Sequence, residues 1–470
     1  MAELLTLGRL SDEESAALSE VVTRIDSHRY YNDDRARWYE ASRRIRALGA
    51  SSVRRLDGVE TVAGWPGLVV DALEERLNIV GPVVPGASDT VVERIWEDNA
   101  LAADYSPAHL EALVHGVAFL AVSRGGPGDP DPVVTVESPR AASGVWDPVR
   151  RALSAAACVT RDEDGTTVGA TLFLPDATVQ VVPSGGSWQV VDRDDHRLGR
   201  VMVERLVNRR RASRPWGRSE ITRPVLAYTR AAMRTLLRSE VSSEFFSQPQ
   251  RWALGVDSNA FRREDGSQAS PWEAYVGFIW ALSDPEDPEG RRPELGEFSS
   301  ASPAPFIDLV RMWSQLVAGE AALPPTWLGF VTENPASADQ IRATEARHVS
   351  RAERRQATFG AAWRQALLDA AALQSGGFDP ALSRCRIQWR DAATPTRAAS
   401  TDAVVKLISA GALPATSRVT YELLGFDATT VDRLVADAAA EQTRRSLAAL
   451  AAGTQTLSGR SLAAAVTEQP

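Results

Sequence analysis

The sequence predicts an α+β fold: a mixed first part, an antiparallel β insert and a helical remainder. Three observations carry this. Short β-branched runs separated by turn residues fill residues 133–205. Apolar residues at helical spacing run through two segments, 222–247 and 302–322. Residues 336–375 hold no proline and one glycine, Gly360, which predicts a helix of about 60 Å.

Length and charge bound the function. A chain of 470 residues suggests about three domains. With 44% hydrophobic and 24% charged residues it is globular rather than disordered or purely coiled coil. A net charge of −9 argues against a surface that clamps nucleic acid throughout, though not against a chain that encloses DNA without gripping it. The 2 cysteines, Cys158 and Cys385, exclude a disulfide framework and a cysteine-rich zinc site, and they fit a reducing compartment. Glu3 and the lack of a basic start predict no secretory signal, and no apolar run is long enough for a membrane helix. Lys406 is the sole lysine; the arginine preference runs along the whole chain, so it is compositional rather than functional.

Ser11 and Glu14 have capping-box spacing with Asp12 and Glu13 in the first turn, so a helix begins there with Leu18, Val21, Val22 and Ile25 as its apolar face. Helices are predicted over 66–77, 90–99 and 107–115, with Pro66 and Pro107 at starts, then a strand over 117–122. The strands at 133–136, 167–174, 178–182 and 188–192 form an antiparallel meander, turned at Pro175-Asp176 and Ser184-Gly185-Gly186. Thr222 caps the next helix, whose face is Leu226, Met233, Leu237, Val241 and Phe245. A short strand over 251–256, an apolar patch bounded by Trp272 and Trp280, and an acidic loop containing Asp284, Glu286 and Asp287 come next. The helix after it presents Phe306, Val310, Trp313 and Val317. Leu323, Pro324, Pro325, Thr326, Trp327, Leu328, Gly329 and Phe330, running on to Asn334, have no helical phase and form a defined loop.

The long helix carries a modest stripe of Ile341, Phe359, Trp363 and Leu367 that needs neighbours, which a ring of subunits would supply; Gly360 is its candidate bend. The last quarter reads as helices over 400–410, 417–424 and 429–452, with Gly411 and Gly425 at helix ends and a tail expected to fray.

Chemistry is thin. Gly125-Gly126-Pro127-Gly128 lacks the Gly-Lys-Ser/Thr of a phosphate loop and reads as a surface turn. His109 and His115 do not have zinc-protease spacing; one solvated ring and one satisfied at a helix end are expected. Asp192, Asp194 and His196 would make a proton-transfer cluster only if they converged in a cleft. Arg209, Arg210, Arg211, Arg214 and Arg218 are the densest basic cluster, either a contact for DNA or an acidic partner, or a solvated connector. The arginines at 342, 347, 351, 354 and 355, interleaved with Glu345 and Glu353, read as ion pairs within or between subunits. Trp327 is either packed against the adjoining helix or presented to a partner or channel.

The order of several segments resembles one family. These are Gly64-Trp65-Pro66-Gly67-Leu68 with Arg76-Leu77; Val207-Asn208-Arg209 with Trp216-Gly217-Arg218-Ser219-Glu220-Ile221-Thr222; Ser243-Glu244-Phe245-Phe246 with Pro249-Gln250-Arg251-Trp252; Thr326-Trp327-Leu328-Gly329-Phe330 with Asn334-Pro335-Ala336; and Asp402-Ala403-Val404-Val405-Lys406-Leu407. Together they resemble portal proteins of tailed bacteriophages, of the siphophage type found in phages of actinobacteria. The resemblance implies a portal fold with an α/β wing, a helical stem, a small α/β clip and an α-helical crown, assembled as a dodecameric ring at one capsid vertex. DNA would pass through its channel during packaging and ejection, and net negative charge would favour sliding over gripping.

Carried onto this chain, the wing is 1–221, the first stem helix 222–247, the clip 248–301, the second stem helix 302–322, the tunnel loop 323–337, the long wing helix and its return 338–395, and the crown 396–470. Trp272, Trp280, Asp284, Glu286 and Asp287 would then face the clip's partners. Implied partners are further copies of the chain (about twelve in a ring), double-stranded DNA, the terminase large subunit, a head–tail connector or adaptor, and major capsid and scaffold proteins. The expected setting is the virion, and the host cytoplasm during assembly. No catalytic residue, metal, cofactor or membrane is implied. Two alternatives stand beside this: a structural ring of a capsid-like or tail assembly that packages no DNA, and a hydrolase using Asp192, Asp194 and His196.

Overall fold

The Ser11 hydroxyl accepts from the Glu14 N–H at 3.3 Å and the Glu14 carboxylate accepts from the Ser11 N–H at 2.9 Å, so the first helix starts where its capping box requires. The computed structural model describes residues 8–44, 60–87, 90–246, 251–254, 294–297, 302–329, 338–393, 397–426 and 428–466. The chain divides into two units, Met1–Ala392 and Ala393–Pro470.

In the first unit the elements run β1 (Gly8–Arg9), α1 (Asp12–Tyr39), α2 (Trp65–Glu74), β2 (Ile79–Val83), α3 (Val91–Asp98), α4 (Leu101–His115) and β3 (Val117–Ser123). Strands β4 (Val133–Glu137), β5 (Ala142–Asp147), β6 (Ala152–Arg161), β7 (Thr167–Phe173), β8 (Thr178–Ser184), β9 (Ser187–Asp194) and β10 (Val203–Val207) follow. Then come α5 (Arg223–Phe246), β11 (Arg251–Leu254), β12 (Glu294–Glu297), α6 (Ala304–Ala321), α7 (Ala338–Ser375) and β13 (Arg386–Trp389).

The meander is a six-stranded antiparallel sheet in the order β1-β9-β8-β7-β6-β5. Leu18, Val21 and Ile25 of α1 pack on it against Leu172, Val179 and Val181. Strands β5 and β6 escaped the sequence reading. Their Ala155-Ala156-Ala157 run is buried without alternation, because neighbouring residues belong to cores on opposite faces of the sheet. A second sheet, β10-β3-β4, also antiparallel, carries the larger core beneath α4 and the second half of α7.

Three expectations change. Helix α4 begins at Leu101 rather than at Pro107, which lies inside it; buried Leu101 anchors the turns that the proline's missing N–H weakens. Gly360 does not interrupt α7, and a Cβ there would come 3.0 Å from Trp389 Nε1, so the glycine admits an indole. The stripe Phe359, Trp363 and Leu367 is fully buried within its own chain, so the 38-residue α7 needs no ring to cover that half.

Helices α5 and α6 pack together. Thr222 Oγ1, at the start of α5, donates to Glu320 Oε1 near the end of α6 at 3.1 Å, and Tyr228 stacks on Trp313 with centroids 6.2 Å apart. Strands β11 and β12 pair antiparallel, Arg251 opposite Glu297. The second unit holds α8 (Arg397–Ser409), α9 (Arg418–Leu423) and α10 (Ala428–Val466). Ser417 caps α9, and Arg418 bridges to Asp432 at 2.7 Å. The last helix reaches Val466, past the expected end at residue 452.

Candidate functional site

Two places in the first unit gather the residues singled out from sequence. The first is built around Asn208, which is fully buried just past the end of β10. Its N–H donates to Gly116 O at 2.9 Å, its Nδ2 donates to Arg218 O at 2.8 Å, and its Oδ1 accepts from Arg355 Nε at 3.0 Å. One amide thus ties the sheet end, the following loop and α7 together. Gly217 crosses this point at φ +71°, where a Cβ would lie 2.2 Å from Asn208 O. Only glycine fits such an approach in that conformation.

Glu220 completes the scaffold. It is buried and pairs with Arg209 Nη2 at 2.6 Å and with Arg355 Nη2 at 2.6 Å. Burial pushes its carboxyl up, but the Arg209 and Arg355 guanidiniums outweigh burial and hold it below its ordinary value. A backbone bridge between Arg211 and Arg214 folds the loop back on itself. The five arginines of the cluster therefore line one cleft of about 570 Å³, and Arg354 and Arg355 of α7 complete it.

The sequence reading found the five and missed the two from α7. It read them as ion pairs within or between subunits, without naming their partners. Arg355 pairs with Glu220 within the chain, Arg351 Nη2 donates to Glu320 O at 2.9 Å, and Glu345 pairs with Arg76 at 3.2 Å. The available signal was Glu220 itself, an acid set between Ser219 and Ile221 that needed partners once buried.

The second place is the loop after α6. Leu323 and Pro324 are buried, a 3-10 turn spans Pro325–Leu328 and ends at Gly329, and Thr326 is exposed. Trp327 is half-buried in a small core with Val69, Val317 and Leu323. Its ring meets His348 edge-on with centroids 5.4 Å apart, and the Arg76 guanidinium lies 5.5 Å over its face. His348 Nε2 donates to Ala72 O at 2.9 Å, and burial pushes that imidazole below its ordinary value. Of the two readings of Trp327, the structure takes packing against a helix. Phe330, Asn334, Trp272, Trp280, Asp284, Glu286 and Asp287 lie outside the described residues.

Among the described residues, no hydrogen bond joins His196 to Asp192 or Asp194, although Asp194 acts on the ring through its charge. Asp192 is exposed opposite Gln180 in the sheet, Asp194 lies 3.8 Å from Arg124, and Asp195 pairs with Arg193 at 2.8 Å. His196 Nδ1 accepts from the Leu198 N–H at 3.3 Å, and burial pushes the ring below its ordinary value. His109 is buried and the His115 side chain is only 2% exposed, against the expectation that one ring is solvated. His109 Nε2 accepts from Trp363 Nε1 at 3.1 Å, and burial takes its pKa to about 3. His115 is 3.5 Å from Glu111, yet burial and Arg140 push it to about 4, so the contact is no ion pair at neutral pH. Among the described residues, no group of 3 or more His, Cys, Asp or Glu could hold a metal ion. Gly125 and Gly126 donate to Asp131 and Asp129 at 3.3 Å each, as in a surface turn.

The family model described as "Phage portal protein, SPP1 Gp6-like" matches residues 28–421. The portal protein of Mycobacterium phage D29 is 32% identical over 410 residues, 85% of this chain and 83% of that one. The portal protein of Mycobacterium phage L5 is 32% identical over 385 residues, 80% of this chain and 78% of that one. A chain in the neck of an empty gene transfer agent (GTA) particle is 14% identical with a TM-score of 0.38, covering 82% of this chain and 96% of that one. The chain belongs to the SPP1 Gp6-like family of phage portal proteins.

Proposed function

We propose that about twelve copies close head-to-tail into a ring around a DNA channel, with α5 and α6 as its stem. Membership of the family makes the chain a virion structural protein, not an enzyme, and implies a DNA channel at a capsid vertex. The observation that carries the ring reading lies on α6. Leu309, Met312 and Leu316, at i, i+3 and i+7, are 42%, 40% and 41% exposed, while Val317 and Ala321 on another face are buried. A three-residue apolar stripe on one helix asks for a second surface. In a ring, the adjacent copy supplies it.

In this reading residues 248–301 form the clip, which meets the terminase large subunit during packaging and a head–tail connector afterwards. Residues 323–337 form the tunnel loop, with buried Leu323 and packed Trp327 anchoring one end. Residues 1–221 and 338–395 make the wing, against major capsid and scaffold proteins, and 396–470 the crown. Native mass tests the ring. A particle of roughly 600 kDa is expected from chains of 50.8 kDa. Replacing Met312 and Leu316 with glutamate should drive the mass down to that of the single chain. A wild-type species of one chain at every concentration and salt would overturn the self-assembling ring.

A further inference from the structure

We propose that the cleft between the 207–218 loop and α7 binds the phosphodiester backbone of DNA, without regard to base sequence. Of the seven lining arginines, Arg209 and Arg355 share the single carboxylate of Glu220. Among the described residues, Arg210, Arg211, Arg214, Arg218 and Arg354 have no carboxylate partner. All five are exposed, so solvent and a ligand can reach them. Five guanidiniums without a carboxylate around one cleft, on a chain of net charge −9, are a local inversion of the protein's field. Neighbouring groups register it: burial, then Arg210, pushes the Arg205 guanidinium down to about 10.

Shape and lining choose among anions. The other lining residues are Val207 and Thr358, so the cleft offers neither an apolar anchor nor an aromatic platform. A bound protein segment would need an apolar pocket at its centre, and base reading would need stacking surfaces or amide groups. Planar guanidinium forks suit phosphate oxygens, and a volume of about 570 Å³ admits a short run of phosphodiesters, not a duplex. The contact is therefore with the edge of the backbone. The cleft is also preorganised, because Asn208, Gly217 and Glu220 fix both walls before any ligand arrives. Such a site would hold DNA at the wing while the rest of the acidic surface lets it slide.

The choice of DNA as the polyanion rests on the portal reading. The two fail separately, since native mass tests the ring and a titration tests the cleft. Full-length protein would be titrated into two short labelled duplexes of unrelated sequence at about 50 to 200 mM salt. Equal affinity for both is expected, with a steep salt slope. The variant Arg210→Gln, Arg211→Gln, Arg214→Gln should lower that slope by about 2–3, and Arg354→Gln alone, on the other wall, by about 1. Replacing Arg433, Arg444 and Arg445, which are also exposed, should change nothing. Poly-glutamate should compete weakly. The proposal is overturned by no duplex binding at the lowest salt, by slopes unaltered in both cleft variants, or by poly-glutamate binding as tightly as duplex and lost in the same variants. That last result would assign the cleft to an acidic protein segment.

Discussion

Arg355 Nη2 donates to Glu220 Oε1 at 2.6 Å across 135 residues of sequence, joining the middle of α7 to the segment that launches α5. The Glu220 side chain is 2% exposed and that of Arg355 11%, so water contributes little to either charge. Removing one member of such a pair leaves the other buried and uncompensated.

Glu220→Gln is therefore expected to destabilise the chain by about 3 kcal/mol in chemical denaturation. Arg209→Gln should cost less, because that guanidinium is more exposed and Arg355 remains. The sign with pH follows from the lowered carboxyl. The native state holds this group ionised more firmly than the unfolded chain does, so its contribution is present above the ordinary value of 4.5 and lost as pH falls through the native one. A steeper acid limb in wild type than in Glu220→Gln is the measurable outcome.

Asp369 has the opposite sign. Its carboxylate is fully buried, 3.2 Å from Arg200, which also pairs with Glu204. Burial pushes Asp369 up; Arg200 pulls it down and Glu204 pushes it up again, leaving it at about 7. One guanidinium serves two acids, so the close Arg200 contact does not restore an ordinary carboxylate. The native state holds the proton that the unfolded chain releases near 3.8. The contribution is full below that value and declines as pH rises through about 7, at about 1.4 kcal/mol for each unit separating the two values. Stability curves at pH 5 and 8 should diverge less in Asp369→Asn than in wild type, and an identical pH dependence would refute the assignment.

Much of the architecture was legible because local rules and tertiary packing agree there. Ser11 with Glu14 fixed a helix start, Pro175-Asp176 a hairpin, and the proline-free stretch after residue 337 a long helix. Where the rules failed, packing won. Strand β6 hides because alanine suits a sheet covered on both faces, and α4 continues through Pro107 because Leu101 is buried. The arginine cleft was half legible. A run of arginines marks a basic loop, but nothing in the spacing shows that α7, over a hundred residues later, brings Arg354 and Arg355 to its other wall. That juxtaposition is a product of the Asn208 and Glu220 contacts.

The His109–Trp363 contact predicts a specific polar cost. The Trp363 indole donates to His109 Nε2 at 3.1 Å in the centre of the larger core, and both side chains are fully buried. Trp363→Phe retains an aromatic ring but strands the imidazole acceptor, an expected cost of about 1–3 kcal/mol beyond lost packing. With His109 also changed to phenylalanine, the polar part should be recovered. A double-mutant cycle showing additive losses would mean that the hydrogen bond contributes nothing.

Two glycines in the left-handed region separate conformational strain from steric approach. Gly199, at φ +67°, has open space where a Cβ would lie, whereas at Gly217, φ +71°, the Cβ would strike Asn208 O and Gly116 O at 2.2 and 2.6 Å. Gly199→Ala should therefore lose only the left-handed penalty, about 1–2 kcal/mol. Gly217→Ala must add the displacement of two backbone carbonyls, one belonging to the asparagine that aligns the cleft. Its loss of stability should exceed that of Gly199→Ala clearly, and it alone should reduce the salt slope of duplex binding. Equal stability losses in the two variants would show that the 208–218 loop yields to the methyl group, and that the crossing at Gly217 does not fix the arginine wall.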